Sequence, residues 1–70
     1  MKEPLKDRID VLFEKAKSGD SQAQLKLAKC FYSGKLVEQS LEQAKYWAFK
    51  AILAENKDAS KFYETIINNK

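Results

Sequence analysis

The chain has no histidine, one cysteine, one proline and two glycines in 70 residues. Each scarcity excludes something. Without histidine there is no Ser-His pair, no imidazole base and no imidazole metal ligand. A lone cysteine, Cys30, cannot close an internal disulfide. The two glycines, Gly19 and Gly34, stand far apart, so no glycine-rich loop is present to cradle a phosphate. No apolar run is long enough for a membrane span, and the opening MKEPLKDR lacks the apolar stretch of a signal peptide. The expectations are a non-enzymatic chain with no cofactor, no metal and no membrane partner, cytoplasmic by default.

What is present points to helices. Seventy residues make one domain, residues 1–70, with a thin core that depends on good helix packing. Net charge is +3, well below what a dedicated nucleic-acid binder carries. Apolar residues recur at the helical period in four stretches. The first runs from Pro4 to about Ser18, with Leu5, Ile9, Leu12, Phe13 and Ala16 on one face. Asp7, Asp10 and Glu14 share its other side and read as a solvated face paired with lysines rather than an acid cluster. Gly19 suits its C-terminal cap.

The second helix starts after Asp20 or Ser21 and ends near Ser33-Gly34. Ala23, Leu27, Cys30 and Phe31 form its stripe, widened by Leu25, Ala28 and Tyr32, and Cys30 reads as a small buried apolar residue. In the loop 34–39, Leu36 and Val37 are expected to tuck against the helices. Ser40 and Gln43 have capping-box spacing and open a third helix running to about Glu55. Its Leu41, Ala44, Trp47, Ala48, Phe49, Ala51 and Ile52 predict an apolar surface over more than half the circumference, with Tyr46 and Leu53 partly exposed. Asp58 is the expected N-cap of a fourth helix reaching Asn68, with Ala59, Phe62, Tyr63, Ile66 and Ile67 apolar and a frayed tail after it.

Shifting the chain by 36 places Leu5 on Leu41, Phe13 on Phe49, Ala23 on Ala59, Leu27 on Tyr63, Cys30 on Ile66 and Phe31 on Ile67. Such self-similarity marks a stacked repeat. The residues Ala23-Gln24, Leu27-Ala28, Phe31, Gly34, Val37, Ala44, Trp47 and Ala51 resemble the Sel1-like repeat, a relative of the tetratricopeptide repeat. Departures are Ala28, Leu36 and Glu55 where that pattern has glycine, Ser40 where it is acidic, and Ile52 for its second alanine. The resemblance implies an all-α, short right-handed helical-hairpin solenoid of four helices in the order B-A-B-A, one full repeat flanked by half repeats. It also implies a scaffold that binds other proteins on the concave face of its A helices.

Stripe width adds a physical expectation. A helix inside a stack needs a wide apolar arc and a terminal helix a narrow one. The middle two helices read as wide and the outer two as narrow. On the fourth, Ser60, Lys61, Glu64 and Asn68 replace Gln24, Leu25, Ala28 and Tyr32, as a capping helix requires. The function expected is a small protein-protein interaction module: an adaptor, an inhibitor or a complex subunit. Its partner surface is the polar sector of the second helix, Gln22, Lys26, Lys29 and Ser33, with Phe62 and Thr65 at equivalent positions on the fourth. Phe62 is either an exposed hot spot beside the lysines or an extra core ring. A homodimer through Tyr46 and Leu53 stays open. The alternative is weak binding of nucleic acid or an acidic surface by Lys15, Lys17, Lys26, Lys29 and Lys35, in a stretch whose one acid is Asp20.

Overall fold

A computed structural model describes residues 9–68, and among them it is all-helical, with no strand. The order is α1 (Ile9–Lys17), α2 (Ser21–Ser33), α3 (Leu41–Leu53) and α4 (Lys57–Asn68). The expected start of the first helix at Pro4, the position of Leu5 and the tail after Asn68 lie outside the described residues.

The ends of the helices are set by side-chain and glycine chemistry. Asp20 takes an extended conformation, and its Oδ1 accepts from the backbone N–H of Gln22 (3.0 Å) and Ala23 (3.2 Å). Two of the four unpaired donors at the start of α2 are thereby satisfied. Gly34, at φ 79°, closes α2, and the N–H groups of Gly34 and Lys35 both donate to the Cys30 carbonyl (2.8 and 3.0 Å). Ser40 caps α3 through Oγ, which accepts from the Gln43 N–H at 3.2 Å. At α4 the cap is Asn56, whose Oδ1 accepts from the Asp58 N–H at 2.9 Å. The expected cap, Asp58, instead lies in the first turn, where its carboxylate faces the positive end of the helix dipole.

Packing follows chain order. α1 lies on α2, α2 on α3 and α3 on α4, with a smaller contact between α2 and α4. The main core joins Leu12 and Ala16 of α1, Ala23, Leu27 and Ala28 of α2, and Ala44, Trp47 and Ala48 of α3, closed by Ile66. Ala44, Ala48 and Ala51 have no exposed surface, so α3 meets its neighbours through alanine side chains there. Trp47 fills the space beside them and meets Phe13 edge to face at 6.0 Å, and Phe13 meets Phe31 at 6.2 Å. A smaller cluster gathers Leu25, Ala51 and Ala59.

Gln24 is also buried, only 4 % exposed, although its residue type gave no such signal. Its Nε2 donates to the Ala16 carbonyl at 2.9 Å, tying α2 to the last turn of α1. Its Oε1 and the Trp47 Nε1 are enclosed without a hydrogen-bond partner among the described residues.

Several expectations are corrected. α3 ends at Leu53. Its buried residues, Ala44, Trp47, Ala48 and Ala51, occupy one face rather than more than half of the helix. At about 100° per residue, Phe49 lies roughly 150° from the centre of that face, and it is 49 % exposed. Leu41 and Ile67 are exposed as well. For Phe49 the physical reason is that α4 packs beside α3 and leaves its back open; Leu41 is the first residue of α3, and Ile67 lies in the last turn of α4. Tyr46 and Leu53 are exposed as expected. Cys30 is half-buried against the core rather than fully buried. Leu36 does not tuck in: it is 52 % exposed and adopts φ 73°. The chain there is held instead by Ser40 N–H to the Phe31 carbonyl (3.0 Å) and Gln39 Nε2 to the Tyr32 carbonyl (2.8 Å). These bonds fix the loop ends and leave its apex outside. Val37 is half-buried.

Candidate functional site

The exposed row on α2 is where the sequence places it. Gln22, Lys26, Lys29 and Ser33 recur at steps of four, three and four, so they share one side of the helix. All four are exposed, as is Thr65. The hydroxyls of Ser33 and Thr65 turn inward along their own helices. Ser33 Oγ donates to the Lys29 carbonyl (3.0 Å) and Thr65 Oγ1 to the Lys61 carbonyl (3.2 Å). Each then faces outward as an acceptor only.

Phe62 joins the two helices. It is half-buried and packs against both apolar clusters. Tyr32 meets it edge to face, centroids 5.5 Å apart. Lys29 Nζ stands 5.8 Å from the centroid of its ring, within reach of a cation–π attraction. Phe62 is therefore neither a free hot spot nor a sealed core ring. Its inner edge packs, and its remaining surface carries the Lys29 ammonium.

On the opposite flank of the same row, the groove between α1 and α2 opens into a depression of about 420 Å³. Its floor is Leu12 and Cys30, with Leu36 at the loop end. Lys26, Lys29, Ser33 and Lys35 stand around it. A smaller depression of about 190 Å³ continues along the groove past Val11, Ala23 and Gln22, and shares Leu12 and Lys26 with the first. Lys15 and Asp20 border it. Asp20 is occupied in capping α2. Sequence reasoning found the lysines but not the groove, because a cavity depends on how far two helices stand apart.

No family model, curated protein or solved structure matches the chain. The surface must therefore be judged on its own chemistry. Among the described residues no group of three or more acid or cysteine side chains is placed to share a metal ion. No helix among the described residues is long and apolar enough to cross a membrane. What the arrangement offers is a row of ammonium groups and acceptor oxygens beside apolar surface.

Proposed function

We propose that the chain is a small, non-enzymatic protein-protein interaction module, a right-handed B-A-B-A helical-hairpin solenoid of the Sel1-like kind. Its partner segment binds on the face formed by Gln22, Lys26, Lys29 and Ser33 of α2 with Phe62 and Thr65 of α4. The observation carrying this reading is the Lys29–Phe62 contact at 5.8 Å. It makes one continuous surface from equivalent positions on two successive repeats. The repeat reading is supported by the helix bounds, since α2 and α4 begin 36 residues apart and α1 and α3 end 36 apart. It is supported too by the backbone at Leu36 and Glu55, two positions where the Sel1-like pattern has glycine. They are the non-glycine residues with positive φ among those described, at 73° and 65°.

The test is capture from native lysate with the intact chain as bait beside a Lys26→Glu/Lys29→Glu bait. Both lysines are exposed, so the fold should survive the double change. A protein retained by the first bait and lost from the second supports the reading; equal capture by both sinks it. The ring of lysines also suits nucleic acid, and retention on heparin decides that reading. Elution well below physiological salt removes it.

A further inference from the structure

We infer that the depression between α1 and α2 receives an apolar anchor from an acidic segment of the partner protein, so that this groove, rather than Phe62, is where the partner is gripped. The inference rests on the protein-binding reading above and deepens it.

Three observations converge. The first is shape. The depression holds about 420 Å³ over a floor of Leu12 and Cys30, ample for the side chains of one or two leucine-sized residues. At Phe62, by contrast, Tyr32 and Lys29 already cover part of the ring.

The second is charge. Lys26, Lys29 and Lys35 ring the depression, and its described lining contains no acid. Along the continuing groove Lys15 adds a fourth ammonium, and the one acid there, Asp20, has its carboxylate turned to the start of α2. An apolar floor under several ammonium groups matches a segment with apolar residues between carboxylates. From Gln22 to Ser33 the groove runs roughly 16 Å at about 1.5 Å per residue, which about five extended residues span at about 3.3 Å each.

The third is Leu36. It holds a left-handed backbone that glycine would adopt freely, and its side chain stays half-exposed at the end of the depression. Packing in the unbound chain gives little return for that conformation. An incoming apolar anchor would bury the side chain and give it a purpose.

The experiment is selection of displayed random peptides of about eight residues on the purified intact chain, followed by titration of the enriched peptide. Enriched sequences should carry leucine, methionine or phenylalanine flanked by aspartate or glutamate, and binding should weaken as salt rises. Lys29→Glu/Lys35→Glu should raise Kd by about tenfold or more. Leu36→Gly should melt no lower than the parent and still lose affinity, a combination that misfolding cannot produce. Enrichment of peptides without acids, or affinity untouched by Leu36→Gly and by the lysine reversals, overturns the inference. So does a duplex DNA that competes for the groove more tightly than any enriched peptide. If no peptide is enriched while the lysate partner is still captured and is lost on Thr65→Arg, the groove is wrong and the interaction module stands. Loss of both removes the module itself.

Discussion

Glu55 repeats the backbone of Gly19. In both, φ is positive, 106° at Gly19 and 65° at Glu55. The hydrogen bonds around them also coincide at a shift of 36. Ser18, Gly19 and Asp20 donate to the carbonyls of Glu14, Ala16 and Lys15 at 3.2, 3.1 and 3.0 Å. Ala54, Glu55 and Asn56 donate to those of Lys50, Ile52 and Ala51 at 3.1, 2.8 and 3.0 Å. One turn geometry thus ends both α1 and α3, once with glycine and once without. Non-glycine residues there carry about 1–2 kcal/mol of steric cost, offset by about 0.4–1 kcal/mol because glycine has more freedom to lose on folding. Glu55→Gly should therefore stabilise by about 0.5 kcal/mol, and Gly19→Ala should destabilise by at least about 1 kcal/mol. Urea unfolding of the pair checks it. A loss of stability in Glu55→Gly, or none in Gly19→Ala, would show that the two turns are not equivalent.

Trp47 is a packing residue. It is buried, and Phe13 and Tyr46 both meet its ring edge to face. Trp47→Ala should cost about 3–5 kcal/mol. A domain this small holds about 5 kcal/mol in total, so the variant should be largely unfolded by circular dichroism. A folded variant that loses only binding would assign the tryptophan to the partner surface.

Ala48 has no exposed surface where α3 meets α2. Ala48→Leu should push the helices apart and cost about 1–3 kcal/mol. An unchanged melting curve would place Ala48 away from the contact.

The caps distinguish Asn56 from Asp58. Asn56 receives the Asp58 N–H, and its Nδ2 also reaches Ser21 Oγ at 3.4 Å across to the start of α2. Asn56→Ala should cost about 1 kcal/mol. Asp58→Ala should cost about 0.3–1 kcal/mol, through the helix dipole alone, and less so as salt increases. Thermal melts at two salt concentrations separate the two residues.

Phe49 is half-exposed on the back of α3, with Tyr63 beside it at 6.2 Å. Phe49→Lys should change stability by about 0.5 kcal/mol or less, as surface substitutions do. A loss above about 2 kcal/mol, with a fall in sedimentation coefficient, would show that a second copy covers this face.

Local chemistry made much of the chain legible in advance. Gly34 at α2, Asp20 and Ser40 at the helix starts, and the 3.6-residue spacing of Leu12, Ala16, Ala23 and Leu27 act over a single turn. Such signals need no knowledge of the rest of the molecule, so the number and order of helices could be read directly. The exposed row Gln22, Lys26, Lys29 and Ser33 followed from the same period. Tertiary structure decided which neighbour each face meets. Phe49 has the residue type of a core, yet α4 lies beside α3 and leaves its ring half in solvent. Gln24 has the residue type of a surface, yet α1 encloses it. The groove above Leu12 and Cys30 was invisible for the same reason. Periodicity fixes the direction of a side chain around its own helix, whereas burial and cavities depend on the distance and angle to the next one.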